Sequence, residues 1–408
     1  MLLAHGELAR ISLPIPLWLT VLVASLSVIA TFAMTANRYP RNPSGVALPR
    51  ADRHFCDSAV THACLRIVGL LALDVLLIEA WIGPSAVGSN PATTWFYVWF
   101  WVGLVPASLL FGDVYRYVNP LRTLALLISG LRRTTSRPDL PNRIGYWPAV
   151  AGLLIYLVLD GVSQEGDWPR AVAVFISVYA VIHIAGGAWF GPRWFDRCET
   201  FAVYSALIAR LAPFRRRPTQ PLDRPLVAFV MILMGAAALD GLVHFSFWPG
   251  VDLVINPPDG DAVQSIALST VVLVAASGAM GALYLACTWA IRQFMQSGRS
   301  AFTAFTPVLI PVVVSYAIST HLPAALFESQ AGYLLVVGGG ATRYGFISNT
   351  TIAIIQFIAI MSGSVLAALT TQAIATDAIK PRLRRLGQIP LAALLISYTL
   401  IGITIVSG

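Results

Sequence analysis

Apolar stretches of roughly 18 residues or more, each long enough to cross ~30 Å of hydrocarbon, recur along the whole of this chain. In lipid every backbone N–H and C=O must find its partner inside the protein, which leaves only helices or closed barrels. A barrel needs alternating segments of about ten residues, and the runs here are continuous. Charged residues make up 11% of the chain against 57% hydrophobic, where a soluble domain carries about 25% charged. The expectation is an all-α, polytopic integral membrane protein, a single membrane domain over 1–408.

The apolar runs predict ten transmembrane helices, near 13–34, 67–84, 94–112, 146–163, 170–190, 226–247, 263–290, 302–323, 350–374 and 389–406. Ten spans sort the connections into two sets, and the basic residues fall almost entirely into one of them. Of 27 lysines and arginines, only Arg10, Arg170 and Arg343 lie on the other side. That asymmetry is the positive-inside signal. It places both termini outside. The net charge of +8 therefore reports orientation: the partner it implies is the lipid bilayer, not a nucleic acid. No cationic segment precedes the first apolar run, which reads as a retained helix. Cys56, Cys64, Cys198 and Cys287 fall in or near the reducing side, which argues against a disulfide framework.

An internal repeat organises the middle of the chain. Span three ends in Phe111-Gly112, and Asn119 then precedes Pro120, a helix cap followed by proline at the first helical position. Leu121, Leu124, Leu127, Ile128 and Leu131 form an apolar stripe, as expected of an amphipathic helix lying at the inner interface. Span five ends in Phe190-Gly191, and Phe201, Tyr204, Leu207, Ile208 and Leu211 reproduce the stripe at an offset of 80. Spans 3–4 (repeat unit A, 91–168) and spans 5–6 (repeat unit B, 169–250) are thus read as a parallel internal repeat. Spans 1–2 (1–90) and spans 7–10 (251–408) flank it. Gly338-Gly339-Gly340, in a long outer connection expected from Glu328 to Asn349, reads as a hinge or lid.

Each repeat carries an acid in its second span, as Leu159-Asp160-Gly161 and Leu239-Asp240-Gly241, and Leu73-Asp74 echoes it in span two. A carboxylate within a hydrocarbon-facing segment costs ~2.5–3.5 kcal/mol on insertion scales, so each needs a reason. Asp74 is expected to face other helices. Asp240 and His244 are four apart and share a helix face, and His183 falls near the middle of span five. Asp160, Asp240, His183 and His244 are the candidate catalytic residues, with Asp160 and Asp240 converging toward the outer leaflet and His183 between them. Of these, His183, Asp240 and His244 have the donor types for a divalent metal that activates water. The same groups suit a base with its orienting acid, a proton relay or transport path, or separate hydrogen bonds between helices. His54, Cys56, His62 and Cys64 form two His-x-Cys pairs with soft donors fit for zinc or copper, at a spacing unlike the usual zinc patterns.

The segment from Gly112 to Leu124, Gly-Asp-Val-Tyr-Arg-Tyr-Val-Asn-Pro-Leu-Arg-Thr-Leu, resembles the bacterial integral-membrane fenitrothion hydrolase family. The likeness extends to Ala4-His5-Gly6, Leu13 to Leu19, Tyr179 to Gly186, Trp194-Phe195, Ala209 to Pro213, Asp240-Gly241-Leu242 and Pro307 to Pro311. It runs nearly end to end. It implies hydrolysis of neutral, apolar organophosphorus triesters with release of a nitrophenol, substrates that partition into lipid. Asp160 and Asp240 would then be ligands or general bases for the attacking water, with His183 and His244 as ligands or proton carriers. Members of that family tend to carry histidine near the positions of Ser319 to His321, at Ser364, and in an Ala-His-Asp near Thr370 to Gln372. Only His321 stands here. That departure implies a chain without the family's metal site, a non-catalytic subunit beside a second membrane subunit.

Overall fold

A computed structural model describes residues 16–35, 58–86, 88–131, 138–161, 169–212, 220–244, 262–340 and 342–407. Among them the regular elements are all helical. Seven helices among the described residues are long and apolar enough to cross a membrane: Trp18–Thr35, Ala92–Phe111, Pro169–Phe190, Ile266–Phe294, Ala301–Val337, Asn349–Ala378 and Pro381–Thr404. The other three expected spans fall on helices of a different kind. One has 24 residues but carries Arg66, Asp74 and Glu79. Another, Trp147–Gly161, has 15 residues, about 22 Å at 1.5 Å per residue. The third, Arg224–His244, is apolar over Arg224–Leu239.

The chain divides into two compact units. The first takes in Ala51–Arg215 and Pro323–Tyr344, and the second Arg216–Leu322 and Gly345–Gly408 with the N-terminal helix. In order, the first unit contains α2 (Ala59–Ile82), α3 (Ala92–Phe111), α4 (Pro120–Leu131), α5 (Trp147–Gly161), α6 (Pro169–Phe190) and α7 (Thr200–Ile208). The second contains α1 (Leu17–Thr35), α8 (Arg224–His244), α9 (Ala262–Ile291), α11 (Asn349–Ala378) and α12 (Arg384–Ser407). Helix α10 (Leu309–Val337) contributes to both, with the boundary at Pro323.

Aromatic residues fill the first unit. The backbone of α3 widens into a π-helical stretch at Trp95–Val102, and its rings interleave with those of α5, α6 and α7. Trp101 stacks on Tyr204 with centroids 4.1 Å apart and meets Tyr156 at 4.5 Å, while Phe100 sits edge-on to Phe201 at 4.9 Å. Offset and edge-on pairs of this kind add about 0.5–1.5 kcal/mol each beyond the area they bury. Around them α6 packs on α2 and α4, and α7 on α5.

Two sharp turns at matched places shape this unit. Gly112 ends α3 at φ 77, ψ −149 and Gly191 ends α6 at φ 78, ψ −161, a region open essentially to glycine alone. A short helix follows each, Tyr115–Val118 and Pro192–Arg197, and then a capped longer helix. The longer helices differ from one another. Helix α4 turns Leu127 and Ile128 outward and buries Leu121, Ala125 and Ser129. Helix α7 does not lie at an interface: Phe201, Ala202, Val203, Tyr204, Ser205, Leu207 and Ile208 are all buried. The apolar stripe there is only part of a helix lacking charge from Thr200 to Ala209, and a helix apolar all round goes inside.

The second unit is held by small residues and hydroxyls. Ala24 of α1 packs with Ile360 and Ile403, and α1 lies on α11 and α12 while α8 lies on α9 and α12. A Cβ at Gly363 would sit 2.3 Å from the Ser315 side chain, and one at Gly235 the same distance from that of Ser277. Close approach at small residues is the usual device where lipid removes the hydrophobic force between helices. Tyr316 donates to the Tyr398 carbonyl, and Tyr398 to that of Met280 at 2.8 Å.

The connection after α10 is shorter than expected. The helix runs through Pro323 to Val337, because neighbouring helices re-satisfy the backbone that proline frees inside a membrane bundle. The three glycines, at φ 83, 155 and 124, are a helix stop: the N–H groups of Gly338 and Gly339 both donate to the Leu334 carbonyl at 3.1 and 3.3 Å, as in a glycine C-cap.

Candidate functional site

The best-formed polar centre of the first unit gathers around Glu199, an acid that lies between α6 and α7 and outside the apolar runs. Glu199 is fully buried and caps α7. Its Oε1 accepts from the Phe201 N–H at 3.2 Å and its Oε2 from the Ala202 N–H at 2.7 Å. Tyr179 of α6 donates its hydroxyl to Oε1, and the same phenolic oxygen accepts from the Thr200 N–H at 3.0 Å. Asn119, which caps α4 through the Arg122 N–H at 3.0 Å, donates from Nδ2 to Glu199 Oε2 at 3.2 Å across an offset of 80 residues. The two caps therefore touch.

Further bonds tie the same pieces together. Ser108 and Ser205 share a hydrogen bond of 2.9 Å, and Arg122 pairs with Asp196 at 2.8 Å. Burial pushes the Glu199 carboxyl up to about 7, while the bonds from Tyr179, Ala202, Phe201 and Asn119 pull it down. A carboxyl so enclosed holds or releases one proton near neutrality.

His183 belongs to this centre. It is buried on α6, its ring 4.2 Å from that of Tyr179, and Nδ1 accepts from the Trp194 indole N–H at 3.1 Å. Asp160 is half-buried near the end of α5. Gly152, where a Cβ would lie 2.2 Å from Thr200 Oγ1 and 3.8 Å from the Tyr179 ring, marks where α5 meets the Glu199 centre. Asp160 is about 12 Å farther along the helix, at 1.5 Å per residue. Asp240 and His244 stand on the last turns of α8, and their side chains lie outside the described residues. The structure therefore separates Asp160 from His183 and says nothing of the other two side chains.

Of the His-x-Cys pairs, His54 and Cys56 lie outside the described residues. His62 stacks on Tyr117 at 4.9 Å, and Cys64 is an exposed free thiol. Among the described residues no three of His, Cys, Asp and Glu gather as a metal site requires. Asp74 does not face other helices: it is exposed on α2.

The positions at which the resembling family carries histidine are closed on themselves. Gln356 Nε2 donates to the Ser319 carbonyl at 2.8 Å, and Ser319 Oγ to the Gln356 carbonyl at 3.1 Å. Ser364 and Thr399 share a hydroxyl bond of 2.7 Å. Gln372 and Gln388 exchange amide bonds of 3.2 and 2.7 Å. Gln356 Oε1 alone of these atoms is buried with no partner, and one neutral oxygen does not hold a transition metal that prefers imidazole, thiolate or several carboxylates. These residues do not fit the metal that the resemblance implies.

The first unit also has a cleft of about 420 Å³, lined by Asn90, Thr93, Thr94, Leu334, Leu335 and the glycines that stop α10, among others. That volume suits a small molecule, but its walls offer no acid, base or nucleophile stronger than a threonine hydroxyl. Comparisons with known proteins add nothing to this geometry. No family model, no curated protein and no solved structure matches the chain.

Proposed function

We propose that this chain is a ten-span protein of the bacterial cytoplasmic membrane with both termini outside, and that it serves as an accessory subunit of a membrane assembly. The observation that carries the function is the closed set of pairs in the second unit. Ser319 bonds Gln356, Ser364 bonds Thr399 and Gln372 bonds Gln388 at or beside the positions where the resembling family carries histidine, with Gln356 Oε1 the one atom of these left without a partner. Residues that bond each other hold helices together, and hydroxyls and amides so engaged do not make the ligand set of a transition metal. The ten-span reading adds α2, α5 and α8 to the seven apolar helices, and the one-sided distribution of arginine supports it. The parallel repeat is supported by the matched turns at Gly112 and Gly191 and by the Asn119–Glu199 bond between equivalent caps.

The test is to purify the chain from its own membrane, alone and with whatever copurifies, and to measure bound metal and nitrophenol release from fenitrothion. An accessory subunit binds no stoichiometric metal and releases no nitrophenol by itself. Turnover by the isolated chain contradicts that reading.

A second reading, hydrolysis of apolar organophosphorus triesters by this chain itself, keeps one support of its own. Leu-Asp-Gly recurs toward the C-terminal ends of α5 and α8, and a carboxylate is a group suited to activating a water. Under that reading Asp240→Asn and Asp160→Asn each lower turnover at least a hundredfold without loss of folded protein. Equal rates in the wild type and both variants remove it.

A further inference from the structure

Helix α2 presents an uncovered seam. Val60, Cys64, Ile67, Leu71, Asp74 and Ile78 are all exposed, at spacings that alternate four and three. This is the heptad rhythm, which keeps successive residues in a narrow stripe along one side of a helix. Ile67, Leu71 and Ile78 leave 54%, 58% and 56% of their surface uncovered. The opposite side of α2 is occupied. Gly69 and Ala80 are buried there, and a Cβ on Gly69 would lie 1.8 Å from the Val118 carbonyl oxygen; beyond Ile78 the seam ends at Trp81, which donates to Ser177 of α6 at 3.2 Å. Helix α2 is thus anchored to its unit by one face and turns the other outward.

Lipid is the ordinary cover for isoleucine and leucine, but it does not suit Asp74. This carboxylate has Leu71 before it and Ile78 after it along the stripe, and it makes no hydrogen bond or ion pair among the described residues. An ionisable side chain at membrane depth ordinarily faces a protein neighbour that satisfies it. A single polar residue in an otherwise apolar seam is also the usual way in which two helices fix their register.

We propose that the seam of α2 is the docking face for one apolar helix of a second membrane protein, which brings a basic side chain against Asp74. This rests on the accessory-subunit reading and specifies where the partner binds. A second copy of this chain is excluded as the occupant by charge, since two-fold pairing about the membrane normal would set Asp74 against Asp74.

The test places a photo-cross-linking residue at Leu71 or Ile78 of the full chain in its native membrane, with Val181 of α6, 69% exposed, as the control. The seam positions should each yield an adduct with one other polypeptide, and Val181 none. The cross-linked peptide should come from an apolar segment that contains Lys, Arg or His. Asp74→Arg should lower the adduct yield at least tenfold at equal protein level, and exchanging that partner residue for Asp should restore it. If Asp74→Arg fails to insert, Asp74→Asn should still lower the yield about threefold. Adducts with lipid alone, with a second copy of the chain, or with a segment that has no basic residue overturn the proposal. A partner that copurifies but cross-links only through Val181 leaves the accessory reading standing and removes this seam from it.

Discussion

Glu199 carries the unusual chemistry of the first unit, and its pH behaviour follows from its surroundings. Its carboxyl ionises near the ordinary value of 4.5 in the unfolded chain but at about 7 when folded, so the folded state binds the proton more tightly. Stability from this group is present below pH 4.5 and is lost as pH rises through 7, because stability falls wherever the native state holds more protons. Glu199→Gln should therefore flatten the pH dependence of thermal unfolding in detergent. The wild type should lose stability between pH 5 and pH 8 relative to the variant, by the order of a few kcal/mol. Parallel curves would show that Glu199 does not titrate there. The Gln372–Gln388 pair makes a second residue-scale prediction. Gln372→Leu strands the Gln388 amide inside and should cost about 1–3 kcal/mol, whereas Leu at both positions should be close to neutral. Denaturation of the three variants checks it, and equal losses in single and double variants would deny the pairing.

At the scale of elements, the turns at Gly112 and Gly191 decide whether α4 and α7 meet. Alanine at either position must enter a backbone region that side chains avoid, at about 1–3 kcal/mol. Gly191→Ala should lower the unfolding midpoint, and an unchanged midpoint would show that the turn adapts. These turns were legible from Phe111-Gly112 and Phe190-Gly191, and so was the Asn119 cap with its proline. The partner of that cap was not. Glu199 sits in no apolar run and forms no motif with its neighbours, and only the folded chain brings it to Asn119 and Tyr179. The role of α7 was misread for a related reason. A stripe of Phe201, Tyr204 and Leu207 does not reveal that small residues on the other face are buried as well. Pro323 reads as a stop only where water is the alternative partner for the backbone, and α10 continues through it.

For the whole molecule, the fold class was readable because length and apolarity alone bound it, and among the described residues seven of the ten expected spans coincide with helices that meet that standard by themselves. Helices of 15 residues or bearing Arg66, Asp74 and Glu79 cross only with help from their neighbours, which no single segment reveals. Reporter fusions check the orientation: a periplasmic reporter should be active at both termini and after Gly161, and inactive when inserted after Arg299. The reverse pattern would invert the topology. The accessory role is tested most directly by native mass spectrometry of the protein extracted gently from its own membrane. The account predicts a particle heavier than the 43.9 kDa chain by at least one different polypeptide. A particle containing only this chain and lipid, active on fenitrothion, would contradict it.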